Sequence, residues 1–357
     1  MEKKNIPINK GNYYMETEER IALFEKYRGE GWEKEYRAYR DAWERNAKEQ
    51  IVGEYPLLVD LEISTVCNLH CPMCYTISPM FKERVHPTLM DEHLFQKVID
   101  EIAGKVPAIR MSLRGEPTLH PHMLEMLKYA KQKGIPEVSF LTNGSRLTPE
   151  YFEELLLAGV DWITISIDGC GEMYESIRRP LKFEETFEKV KKIKEIKEKH
   201  NVHRPVIKIQ SIWAAISENP VEFYNLFAPY VDSVAFNPMA DNQQNDVDIE
   251  YVEDFSCPQL YQRIIVAADG SVLVCSNDEE NEHIIGNASE QSIYELWHGE
   301  AMQEMRDMHK EKDGYMREHI CRKCYLPRKM EIETVVDING RKVIVEAYTK
   351  RSQIIGE

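Results

Sequence analysis

From residue 57 onward, short apolar runs alternate with amphipathic segments along the chain. The runs are LLVDLEIS (57–64), IRMSL (109–113), VSFLTN (138–143), WITISID (162–168), VIKIQSIW (206–213) and SVAFNP (233–238). Their length and their β-branched and aromatic content predict strands. Helical patterning begins near Glu92, Pro121, Pro149, Phe183 and Asn219, several of these starts opened by Asp, Pro or Thr, residues that supply a capping oxygen or a preset φ. Six strands, each followed by a helix or by a helix-length connection, imply a parallel sheet with right-handed crossovers. The expectation is an α/β fold, a partial (β/α)6 TIM-like barrel, with its chemistry at the carboxyl ends of the strands.

Outside that rhythm the pattern changes three times. Residues 1–52 read as a helical extension of two short helices broken near Gly29 to Gly31. Their stripe of Ile21, Phe24, Tyr27, Trp32, Tyr36, Tyr39 and Trp43 is expected to pack as core rather than carry chemistry. The barrel is expected over 53–240. At 241–330 a polar, acidic linker within ADNQQNDVDIEYVEDFS leads into a small cysteine-rich domain. In 331–357, Asn339-Gly340 suits a type I′ turn between alternating strands and predicts a structural β-hairpin.

Charge narrows the partners. The 357 residues carry 61 acidic against 45 basic side chains, a net charge of −16, which argues against nucleic acid or an anionic membrane as partner. The polar N-terminus lacks the apolar core of a signal peptide, and no stretch reaches membrane-spanning length, so a cytoplasmic protein is expected. In that compartment eight cysteines are better read as metal ligands or reactive thiols than as disulfides.

Cys67, Cys71 and Cys74 form C-x3-C-x2-C directly after the first strand. Three thiolates in a short loop can hold three corners of an iron–sulfur cubane and leave one iron open. The alternative is zinc, with His70 or His86 recruited as fourth ligand. This spacing, followed by the aromatic Tyr75 at the start of a βα series, resembles the signature of the radical S-adenosylmethionine (SAM) superfamily, and the likeness runs over roughly residues 57 to 240. It implies a [4Fe–4S] cluster whose open iron is chelated by SAM, reductive cleavage to a 5′-deoxyadenosyl radical, and hydrogen-atom abstraction from substrate. An electron donor such as flavodoxin or ferredoxin is implied with it.

Further segments fall where the resemblance would place them. LRGEP (113–117) is similar to the Gly-Gly-Glu motif that binds the SAM amino group, which gives that role to Gly115 and Glu116. Arg114 replaces the first glycine and reads as a solvated side chain. LTNG (141–144) and SIDG (166–169) are similar to segments that contact the SAM ribose and carboxylate, and imply Asn143, Ser166 and Asp168 as contacts. Arg178 is expected to pair with the SAM carboxylate. Gln210 and Asn237 are able to reach the same cavity.

Cys257, Cys275, Cys321 and Cys324 lie beyond the barrel. By chemistry alone four thiolates suit zinc or a cubane equally. Their arrangement resembles the SPASM domain in its shortened twitch form, which implies one auxiliary [4Fe–4S] cluster. The remaining cysteine, Cys170, is a candidate hydrogen donor for an epimerase, or else a small apolar side chain in a loop. The whole predicts oxidation or epimerisation of a sugar-like or other small polar metabolite, with peptide maturation (ribosomal peptides or sulfatases) as the alternative. A non-catalytic zinc-binding adaptor is the distant rival, and predicts zinc, no iron and no SAM cleavage.

Overall fold

The computed structural model describes residues 4–241, 248–351 and 353–355. Six parallel strands, β2 (Leu58–Leu61), β3 (Ala108–Arg110), β4 (Glu137–Thr142), β5 (Trp162–Ser166), β6 (Val206–Ile212) and β7 (Ser233–Asn237), follow one another in spatial order. Helices Glu92–Ile102, Met123–Gln132, Pro149–Leu157, Phe183–His200 and Pro220–Phe227 lie between them, so the expected α/β architecture is present. Alternation along the strands explains the layers. Val59, Leu61, Ile163, Ile165, Ile207 and Ile209 join the apolar core. The intervening Asp60, Glu62, Thr164 and Lys208 are also buried, and by strand periodicity they occupy the opposite face.

Both edges of this sheet are extended. A short strand β1 (Tyr13–Tyr14) pairs antiparallel with β7, Tyr13 facing Phe236. On the other side β8 (Arg263–Val266) pairs parallel with β2, followed by antiparallel β9 (Ser271–Leu273) and β10 (Ile284–Asn287). The result is one ten-stranded sheet. Part of the cysteine-rich segment therefore continues the barrel sheet. Of the polar stretch ahead of it, residues 242–247 lie outside the described residues.

Helices α1 (Glu18–Arg28) and α2 (Glu33–Glu49) cover the amino ends of the strands. Gly29 separates them because a Cβ there would meet the Tyr36 ring at 2.8 Å. Tyr36, Tyr39 and Trp43 pack with Leu58 and Ala108, which open β2 and β3. Arg28 forms a buried ion pair with Glu137 at the start of β4, Nη2 to Oε1 2.9 Å, and lies 4.3 Å from the ring of Trp162 at the start of β5. Most of the aromatic stripe is core, as its spacing predicts; Ile21, Tyr27 and Trp32 are half-buried. Strands β11 (Met330–Ile338) and β12 (Arg341–Tyr348) form the C-terminal hairpin. Asn339 and Gly340 have φ of 54° and 84°, the positive pair that a type I′ turn requires. Among the described residues no helix is long and apolar enough to cross a membrane.

Two consequences are measurable. Glu137→Ala leaves the buried Arg28 guanidinium with only the part-exposed Glu25, 3.3 Å from its Nη1, and should cost about 3 kcal/mol of stability in denaturant titrations. Lys208 is buried, with its Nζ 3.0 Å from Asn12 Oδ1; burial first, then nearby Arg28, lowers its pKa to about 7. An unfolded chain keeps a lysine protonated to about 10.4, so above pH 7 the unfolded state binds more protons and stability rises with pH. Denaturation midpoints at pH 7 and pH 9 should show that rise in the parent and a flatter profile in Lys208→Met.

Candidate functional site

The first cysteine loop leaves the carboxyl end of β2. Cys71 is buried, while Cys67 and Cys74 are half-buried; all three pack with Leu69, Met73, Ile177 and Ala215. The LRGEP segment presses directly on this loop. A Cβ on Gly115 would lie 2.4 Å from the Ser64 carbonyl oxygen, so only glycine fits. The next amide, Glu116 N–H, donates to the Val66 carbonyl at 2.8 Å.

Glu116 holds the strand ends together. Its Oε1 accepts from Thr118 N–H (3.1 Å), Thr118 Oγ1 (2.6 Å) and Thr142 Oγ1 (2.8 Å), and its Oε2 accepts from Asn143 N–H (2.7 Å). Burial pushes this carboxyl up and the four donors oppose the shift. The Asn143 amide reaches back to the cysteine loop, 2.9 Å from Asn68 Oδ1 and 3.9 Å from Cys67 Sγ. Arg178 and Asp168 are tied to each other, Arg178 Nη2 to Asp168 Oδ2 2.6 Å, and Asp168 Oδ1 accepts from Ile212 N–H at 3.1 Å. Ser166 ends β5, half-buried. The half-buried Tyr75 packs edge-on against Phe81 with centroids 5.7 Å apart. Two more distant candidates are engaged locally: Gln210 with the Ser211 carbonyl at 3.4 Å, and Asn237 with the Gly11 carbonyl.

Arg114 corrects its expectation as a solvated side chain. The side chain is only 1% exposed and forms a two-pronged ion pair with Glu62, Nε to Oε1 2.6 Å. Its Nη1 donates to Asn281 Oδ1 at 2.6 Å and to the Glu279 carbonyl at 3.2 Å. Arg114 has no partner visible at sequence level because Glu62 and Asn281 are remote from it along the chain.

The second set gathers around β8, β9 and the helix His319–Lys323. Cys257 and Cys321 are buried. Burial, then the neighbouring Cys324, pushes Cys257 up to about 12. N–H groups point at these sulfurs: Asn277 Nδ2 lies 2.9 Å and Leu326 N 3.4 Å from Cys324 Sγ. His309 was invisible to sequence reading. Burial lowers it to about 4, so it is neutral, and its Nδ1 accepts from Cys257 N–H at 3.1 Å. The proton therefore sits on Nε2, 3.6 Å from Cys321 Sγ. Thiols gathered in apolar surroundings and met by N–H donors suit electron-rich cluster sulfurs. Among the described residues no three His, Cys, Asp or Glu side chains converge on a single metal ion, and a polynuclear cluster holds its ligands farther apart than one ion does.

Glu279 lines a small acidic pocket with Asp278, Lys323, Cys324 and Tyr325, and its backbone carbonyl accepts from Arg114. Burial, then Glu280, raises Glu279 to about 8. Cys170 lines a cavity of about 570 Å³ with Met173, Phe183, Phe223 and Ala215; none of the other seven cysteines lines it, though Ala215 also packs with the first cysteine loop.

The chain matches the family model of the Radical SAM superfamily over residues 61–209 and that of an Iron-sulfur cluster-binding domain over residues 257–325. It is 33% identical over 156 residues to the Tungsten-containing aldehyde ferredoxin oxidoreductase cofactor-modifying protein of Pyrococcus furiosus, covering 43% of this chain and 42% of that protein. It is 32% identical over 118 residues to the PqqA peptide cyclase of Bradyrhizobium diazoefficiens, 33% of this chain and 30% of that one. The matches thus span less than half the length of these curated relatives. The fold is shared with BtrN, solved in complex with AdoMet and 2-DOIA, at a TM-score of 0.53 and 19% identity over 75% of this chain and 92% of that one.

The Glu116 network predicts that Glu116→Gln sets an NH2 group against chain donors. That substitution should cost about 1–3 kcal/mol, and an unchanged melting temperature would show that the carboxylate does not hold these loops.

Proposed function

Because this chain belongs to the radical SAM superfamily and carries a C-terminal iron–sulfur cluster-binding domain, with SAM and two [4Fe–4S] clusters as its cofactors, we propose that it oxidises a small polar, sugar-like metabolite held between its two cysteine sets. Cys67, Cys71 and Cys74 hold the SAM-binding cluster, and Cys257, Cys275, Cys321 and Cys324 hold the auxiliary one. When bound, these groups supply hydrogen-atom abstraction on one side and an electron acceptor on the other.

The chain's own part is binding and orientation. Gly115 gives the SAM amino group close access to backbone, and Glu116 fixes the strand ends around it. Asn143, Ser166 and the Asp168–Arg178 pair line the ribose and carboxylate side, with Tyr75 beside the cluster loop. Turning a secondary alcohol into a carbonyl removes one hydrogen atom, one electron and one proton. Glu279, its pKa raised to about 8, can take that proton only in its ionised form, so this role calls for oxidation to speed up as pH rises through about 8.

The observation that carries this reading is the junction at Arg114, in the loop beside the first set: its Nη1 donates to the Glu279 carbonyl at 3.2 Å, and Glu279 lines a pocket with Cys324 of the second set. Oxidation is favoured over epimerisation because Cys170 faces a cavity that none of the cluster-set cysteines lines. A second reading, modification of a peptide, is supported by the likeness to the PqqA peptide cyclase.

An anaerobic iron, sulfide and zinc count tests the assignment. About eight irons per chain should fall to about four in a Cys67/Cys71/Cys74→Ala variant, with reductive SAM cleavage abolished. About four irons plus one zinc in the parent would remove the electron acceptor, and oxidation with it. Cys170→Ala should leave both counts and SAM cleavage at parent levels; loss of product with cleavage retained would favour epimerisation.

A further inference from the structure

Arg114 stands where the resembling loop has its first glycine, and it is built into the structure on every side. Its Nε and Nη2 grip the two oxygens of Glu62 on the carboxyl side of β2. Its Nη1 crosses to the cysteine-rich segment, 2.6 Å from Asn281 Oδ1 and 3.2 Å from the Glu279 carbonyl. The guanidinium lies 5.8 Å from the ring of Phe81, which itself packs against Tyr75. Glu62 is shared in the same way, since its Oε2 also lies 3.4 Å from Ala268 N–H just beyond β8.

One planar cation thus touches three parts at once: the Gly115–Glu116 loop through its own backbone, the aromatic pair after the cysteine loop, and the 279–281 turn beside Cys324. A lysine carries the charge but not the fork needed to hold Glu62 and Asn281 together. We infer that Arg114 is a positioning residue that locks the SAM-binding loop to the 279–281 turn, so that the two cysteine sets keep one fixed spacing. This rests on the reading of Gly115–Glu116 as a SAM-binding loop.

Three full-length reconstituted variants test it: Arg114→Lys, Arg114→Met, and the double variant Glu62→Gln/Arg114→Met. The double variant removes the charge that Arg114→Met would strand in the interior, and so separates positioning from simple instability. Two quantities are read: SAM affinity by anaerobic equilibrium dialysis, and hydrogen exchange at residues 113–118 and 276–283, with β4 as internal control. The expected result is a SAM affinity weakened about tenfold in both Met-containing variants, the size of effect seen when a supporting partner is removed. Exchange should rise in both segments together while β4 stays protected, and Arg114→Lys should fall between these variants and the parent.

Exchange rising in only one of the two segments would overturn the inference. So would a SAM affinity at the parent level in the double variant, or a uniform rise that includes β4. A parent that binds no SAM would sink the functional reading instead, and the exchange pattern would then decide the coupling by itself.

Discussion

Two carboxylates on one strand organise this molecule. Asp60 and Glu62 of the β2 segment are both fully buried; Asp60 is neutralised from the strands on both sides, Glu62 by one arginine. Asp60 meets Arg110 of β3 at 2.8 Å and Arg263 of β8 at 3.2 Å; Glu62 meets Arg114. A buried carboxylate is tolerable only when paired and hydrogen-bonded. Strand β2 must therefore sit between β3 and β8, and that places the cysteine loop at its end beside the segment holding the second cysteine set. The spacing of the site follows from electrostatics inside the sheet.

The barrel was legible because its information is local. Strands β2 to β7 are short apolar runs, the first five each followed by an amphipathic helix, and the period of each pattern is contained in its own few residues. The same holds for Asn339-Gly340 and for the cysteine spacing, where a short sequence interval sets the chemistry. The helical stripe of α1 and α2 also showed its burial, though not that it would cover the amino ends of the strands.

What stayed hidden depends on pairing across long stretches of chain. The strand β9 is Ser271–Leu273, too brief to carry a period, and the parallel pairing of β8 with β2 joins residues about 200 apart in number. Arg114 looked solvated because Glu62, Glu279 and Asn281 are nowhere near it in sequence. His309 and Glu279 gave no signal for the same reason: a lone histidine on a helix, and one glutamate in an acid-rich stretch, acquire meaning only from the cysteines folded against them.

The short strand β1 has a kinetic consequence. Its partner is β7, and the residues before it reach further still: Lys4 pairs with Asp254, and Asn5 bridges to Phe255. Nothing in this first stretch can dock until most of the chain has found its place, because contacts of such separation form only after the intervening loops are closed. These residues, synthesised before the strands they pair with, are thus among the last to settle, and the sheet edge beside β7 stays open until they do.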